Sequence, residues 1–159
     1  MTVGERINAE RMVLAGWSRA ILLQLAHPLV AQGVADHSSF RAGLFTAAVR
    51  LHHTVAAMRR LTFGGTDEAQ RTIDGILAIH RRVNGMLRDG IGPFPVGTRY
   101  TAEDPALVLW VHLTLMDSLP RVYHELVAPL SPVDLDAWCA ESSPVARALG
   151  ARADDVPET

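Results

Sequence analysis

Residues 41–87, RAGLFTAAVRLHHTVAAMRRLTFGGTDEAQRTIDGILAIHRRVNGML, decide how the chain is read. In the first half Leu44, Ala48, Leu51, Val55 and Met58 recur at three- and four-residue steps, the period of one helix face. Arg50, His53 and Thr54 fall close together on a different face. Phe63-Gly64-Gly65 ends this helix, and Thr66 followed by Asp67 and Glu68 reads as an N-cap with acids in the first turn, where the macrodipole favours negative charge. The second helix carries Ala69, Ile73, Ile76, Leu77, Val83 and Leu87 as its apolar stripe. His80 stands inside that stripe, away from Arg71, Arg81 and Arg88 on the polar side.

At a rise of roughly 1.5 Å per residue, an antiparallel pair of these helices brings Arg50 and His80 to within about a turn of each other. Two readings are open on spacing alone. His80 is a core histidine bonded to a carbonyl, with Arg50 on a carboxylate, or the two line a cofactor pocket.

Working outward, Asn8 to Ala26 reads as a helix with Val13, Trp17, Ile21 and Leu25 on one stripe. Pro28 forces a kink or a restart, because its ring removes a donor and clashes with the preceding turn. A short helix over Leu29 to Ala35 follows, and Asp36-His37-Ser38-Ser39 reads as its end and the cap of the next. On the other side, Asp89 to Gly97 is a Gly/Pro-rich connection that suits neither a helix nor a central strand, and it is expected to cover or open a pocket. Asp104-Pro105 opens a helix carrying Leu107, Val111, Thr114, Leu115 and Ser118 inward as far as Pro120. Ser131-Pro132 repeats the device for a helix through Trp138 and Cys139, which Pro144 is expected to break. There is no alternating β pattern and no internal repeat, so the expected architecture is all-α. Arg152 to Thr159 reads as a connecting loop, and the chain is expected to stop partway through a larger helical domain, leaving apolar surface on the Ala106 to Ser118 helix bare and the chain prone to self-association.

Composition narrows the function. The chain has 159 residues, of which 48% are apolar and 20% charged, enough for one domain with a real core. A net charge of -2 with scattered arginines offers no patch for nucleic acid. All 15 basic residues are Arg, so no lysine is present for a Schiff base or a phosphate loop. Cys139 is the only cysteine, which removes internal disulfides, Cys-based zinc sites and iron–sulfur clusters. The first residues do not carry the regions of a signal peptide. The most apolar run, Ala20 to Val34, is interrupted by Gln24, His27, Pro28 and Gln32 and is too short for a bilayer of about 30 Å. A cytoplasmic location is expected, with peripheral membrane contact through this run as the alternative.

With 7 histidines and one thiol, a metal or haem site is the leading enzymatic option. Neither His-Glu-x-x-His nor Glu-x-x-His occurs, against a zinc protease and a di-iron bundle. No Gly-x-Ser-x-Gly elbow occurs either. Haem needs less: one axial His on an apolar helix face, apolar walls and a cation for a propionate. His80 and Arg50 supply that minimum, and Thr54 and His53, one turn from Arg50, face the same cavity. Cys139 is the weaker ligand candidate, because nothing cationic nearby lowers its pKa. His27, His37 and His112 read as structural.

Leu23-Gln24-Leu25-Ala26-His27-Pro28-Leu29-Val30-Ala31-Gln32-Gly33-Val34-Ala35-Asp36-His37-Ser38-Ser39-Phe40 resembles the opening signature of the MpaB and rubber oxygenase catalytic domain, long catalogued as a domain of unknown function. The later pieces come in the family's order: Arg50-Leu51-x-x-Thr54, Phe63-Gly64, His80-x-x-Val83-x-Gly85, Tyr100-x-Ala102-x-Asp104-Pro105, Trp110-Val111-His112-x-Thr114-Leu115, and Leu149-Gly150 with Val156-Pro157. The resemblance covers nearly the whole chain. It implies one globin-like helical domain over residues 1–159, of about six helices, that binds haem b and cleaves carbon–carbon double bonds of isoprenoid chains with O2. Its partners are then O2 and a small apolar isoprenoid or lipid substrate. By motif His80 is the iron ligand, and Arg50 and Thr54 belong to the haem pocket. Where the rubber-cleaving branch has a distal lysine beside that threonine, this chain has His53. That departure leaves three states open: a bis-histidine iron, a free distal site, or no haem. A non-catalytic helical module that binds a hydrophobic ligand is the alternative.

Overall fold

The computed structural model describes residues 1–37 and 44–159. Among them are seven α-helices: α1 (Val3–Ala9), α2 (Leu14–Leu25), α3 (Pro28–His37), α4 (Leu44–Phe63), α5 (Thr66–His80), α6 (Pro105–Leu126) and α7 (Pro132–Ala148). A two-stranded antiparallel hairpin, β1 (Asn84–Met86) and β2 (Arg99–Thr101), interrupts them. The all-α expectation holds, with this small sheet as an addition. Each strand is three residues long and β1 contains Gly85, so no alternation exists to be read from the sequence. The contacts divide into two compact units, Met1–Gln24 with Pro105–Thr159, and Leu25–Asp104.

In the first unit the expected helix from Asn8 is split. α1 starts on a Thr2 capping box with Glu5 and closes at Ala9, and a 3-10 turn at Arg11–Val13 leads into α2. Glu141 accepts from the free amides of Val3 and Gly4, and Arg6 pairs with Asp134, so α1 is tied to α7 at both ends. The unit buries Ile7, Trp17, Leu119 and Trp138, each at 4% exposure or less.

α6 does not stop at Pro120 but runs through it to Leu126. A proline inside a helix leaves the carbonyl four residues earlier without its donor. That carbonyl is Met116, and the Trp138 indole N–H donates to it at 3.1 Å. The break expected at Pro120 is thus repaired from α7. Pro144 likewise lies within α7, which opens on the Ser131 cap expected from Ser131-Pro132, completed by Asp134 into a capping box. The tail is not an open loop: a 3-10 turn at Ala153–Asp155 sets Val156, with Ala146 and Ala151, against Val108 of α6. On the Ala106 to Ser118 stretch Leu113, at 37% exposure, is the only exposed large apolar side chain, so the bare stripe expected there is mostly covered.

In the second unit α4 and α5 form the expected helical pair around Gly64 and Gly65. The cap is Gly65, and Thr66 is already the first helical residue. α5 ends at His80 and not near Leu87, because the Arg81–Val83 turn feeds β1. Val83 and Leu87 therefore leave the α5 stripe. α3 starts at Pro28, the proline that begins a helix rather than kinking one, and Asp36 and His37 belong to its last turn. Ser38 and Ser39 lie outside the described residues. The connection from Asp89 to Gly97 is pinned by a bridge between Ile91 and Phe94, and Phe94 lies against His27 with ring centroids 5.4 Å apart.

Candidate functional site

α5 is amphipathic, with Ile73, Ile76 and Leu77 along one side, yet it buries no residue fully. His80 closes that side at the C-terminal end of the helix. The imidazole is half-buried, and its Nδ1 is enclosed without a hydrogen-bond partner among the described residues. Burial pushes its pKa down, and the Glu103 carboxylate, part of no sequence reading, opposes this weakly. The ring is therefore neutral at neutral pH, the state in which a histidine binds a metal. A buried polar nitrogen without a partner costs free energy unless something else uses it.

His53 and Thr54 lie exposed on α4, the His53 ring 6.0 Å from that of His52. Arg50 belongs to the same helix, and its side chain is outside the described residues. Ala57 of α4 shares an open groove of about 430 Å³ with Ile76 and Ile79 of α5, which establishes that the helices run antiparallel. The groove is lined toward the Gly turn by Arg60, Glu68 and Arg71 and does not include His80. At roughly 1.5 Å per residue, His53 and Thr54 stand about a turn beyond Ala57, on the side toward His80.

The other candidates separate from this group. Burial lowers the pKa of His27 and takes that of His112 down to about 4; His112 Nε2 is enclosed without a partner among the described residues. His37 Nε2 donates to the Asn84 carbonyl at 2.9 Å, a structural role. The Cys139 thiol is pushed up by burial and by Asp136, the wrong direction for a thiolate ligand. Among the described residues no group of three or more His, Cys, Asp or Glu stands together to hold a metal ion. The site present is a single imidazole on an apolar helix face, which fits a haem, whose remaining ligands are its own.

Sequence reading also missed a polar cluster around Asp36. The carboxylate accepts from the Tyr100 hydroxyl at 2.7 Å and from Gln32 at 3.0 Å, and it pairs with Arg88. Asp36 and Tyr100 both sit within quoted motifs, but no spacing rule joins residues so far apart.

A family model described as ER-bound oxygenase mpaB/B'/Rubber oxygenase, catalytic domain, matches residues 5–159. No curated protein and no solved structure matches the chain.

Proposed function

The chain belongs to the MpaB and rubber oxygenase catalytic-domain family, and from that premise we propose that it is a haem b-dependent oxidoreductase. The proposed reaction is O2-dependent cleavage or oxidation of carbon–carbon double bonds in an apolar isoprenoid or lipid substrate. The single observation that carries the haem reading is the enclosed Nδ1 of a neutral His80, without a partner among the described residues, at the end of an apolar stripe. When bound, haem iron supplies the binding and activation of O2. His80 would hold the iron, Arg50 would supply a cation for the haem's acidic groups, and Thr54 and His53 would line the same pocket. The half-exposed side of α5 gives an apolar macrocycle or substrate a surface to cover.

The test is spectroscopic. Purified protein offered haem should show a Soret band at one haem per chain, and His80→Ala should lose it, whereas His27→Ala and His37→Ala should lower stability and keep occupancy. Equal haem content in all three variants overturns the ligand assignment. A low-spin ferric spectrum that His53→Ala converts to one open to carbon monoxide or imidazole identifies a bis-histidine iron; a high-spin wild type leaves His53 as a lining residue. The exposure of His53 and Thr54 favours a second reading, a helical module that takes up a hydrophobic ligand without chemistry. It predicts fatty-acid or polyprenol uptake with no Soret band. A cytoplasmic location, peripheral membrane contact and self-association belong to the proposal; among the described residues no helix is long and apolar enough to cross a membrane.

A further inference from the structure

The backbone that follows His80 is held at each step. The His80 carbonyl accepts from the Val83 amide at 3.0 Å, and the Val83 carbonyl accepts from the Ala102 amide at 2.8 Å. Asn84 then opens β1, where it pairs with Thr101 while Gly85 pairs with Tyr100. The backbone at His80 is thus tied to the hairpin through Val83.

The hairpin in turn is fixed by the last turns of α3. Tyr100, 5% exposed, lays its ring on two glycines. A Cβ at Gly85 would stand 2.6 Å from the Tyr100 hydroxyl, and one at Gly33 would stand 3.3 Å from the ring. The aromatic ring therefore rests directly on the backbone of both elements. Its hydroxyl donates to Asp36 Oδ2 at 2.7 Å, while Oδ1 receives Gln32 at 3.0 Å and pairs with Arg88. One residue on, His37 donates to the carbonyl of Asn84 in β1. A carbonyl only accepts, so the donor role of His37 is settled.

A phenyl ring at position 100 would fill the same volume without drawing a carboxylate into the contact. What the hydroxyl adds is direction, because a hydrogen bond specifies an orientation that apolar packing leaves free. The Tyr100 bond is the largest cause holding Asp36 below the usual carboxylate range, and burial with Asp36 pushes Tyr100 up to about 12. At neutral pH the acceptor stays charged and the donor keeps its proton.

We infer that Tyr100 and Asp36 are positioning residues for His80: their hydrogen bond locks the hairpin on α3 and so sets the direction of the imidazole. The importance of that direction for haem rests on the proposed function, whereas the effect on the ring does not.

Tyr100→Phe keeps the ring and removes the bond. Arg6→Ala is the control, since it breaks an ion pair of the other compact unit. With 13C-labelled histidine, the ring signals of His80 are assigned by their loss in His80→Ala and recorded in haem-free protein. Tyr100→Phe should shift or broaden the His80 signals and leave those of His112 in place, while Arg6→Ala, destabilised or not, should move neither. In protein offered haem, Tyr100→Phe and Asp36→Asn should each weaken haem retention roughly 10-fold or more, the usual scale for groups that orient a metal ligand. Unmoved His80 signals in folded Tyr100→Phe, or equal movement in Arg6→Ala, overturn the inference. If Tyr100→Phe does not fold, Asp36→Asn, which preserves size and an acceptor, carries the same comparison. Wild type that takes up no haem, with His80 signals that still move in Tyr100→Phe, leaves the positioning role standing and removes the haem reading.

Discussion

α5 and α6 are both apolar along one side, and they meet opposite fates. α6 buries Leu107, Met116, Leu119 and Tyr123 within its unit, whereas α5 buries nothing fully. On α6 Thr114 accepts from Gln24 at 3.0 Å and donates to the Val111 carbonyl at 2.7 Å, and Arg19 pairs with Asp117, while His112 Nε2 is enclosed without a partner among the described residues. α5 carries an imidazole at its end whose Nδ1 is likewise enclosed without a partner among the described residues. An amphipathic pattern alone thus means only that a face is to be covered. The first unit covers α6 with its own side chains, whereas the apolar side of α5 stays only partly buried.

The largest effect that separates the two is removal of a core side chain. Trp138→Ala should cost about 3–5 kcal/mol in urea unfolding, while Leu77→Ala on α5 should cost less than about 2 kcal/mol in haem-free protein. A larger cost for Leu77→Ala would mean that the α5 face is already structural and would break the comparison. Trp138→Phe isolates the bond to Met116 and should cost about 1–3 kcal/mol. That penalty should shrink in a Pro120→Ala background, where the restored amide serves the Met116 carbonyl, and a double-mutant cycle measures the coupling.

The next effect is set by pH. The folded-state pKa of His112 is depressed to about 4, below the ordinary 6.5, so between these values the unfolded chain binds the extra proton. Its contribution to stability is complete above pH 6.5 and is lost as pH falls toward 4, with a slope of at most about 1.4 kcal/mol per pH unit. His27 and His80 act in the same direction, so the difference between wild type and His112→Phe isolates one group. Unfolding curves for His112→Phe should be flatter over this window. Identical slopes would mean that His112 is solvated in the folded state.

The smallest effects compare two helix starts. Ser131→Ala removes a side-chain cap on the Asp134 amide and should cost about 1 kcal/mol, whereas Thr66→Ala, one residue inside α5, should change stability by a few tenths. Thermal melts of the two variants sharpen the contrast, and an equal loss would restore Thr66 as the cap.

How much was legible follows from the reach of each signal. The Gly64-Gly65 turn, the start of α6 at Pro105 and the Ser131 cap were readable, since each acts on backbone within a turn of itself. His80 was readable as a residue out of place on an apolar stripe. Its position as the last residue of α5 was not, because the helix ends where Val83 finds Ala102, the residue after β2, and three-residue strands carry no periodic signal. The Asp36 cluster was hidden for the same reason.

By itself, the sequence determined an all-α chain, two prolines at helix starts, a helix hairpin and an imidazole on its apolar side. Tertiary structure decided the rest. α6 passes Pro120 because an indole 22 residues away replaces the lost donor, and α3 grips the hairpin through a tyrosine 64 residues from its carboxylate. Local propensity extends over a few residues, but a proline's missing bond or a buried carboxylate is satisfied by whichever group the packing brings near.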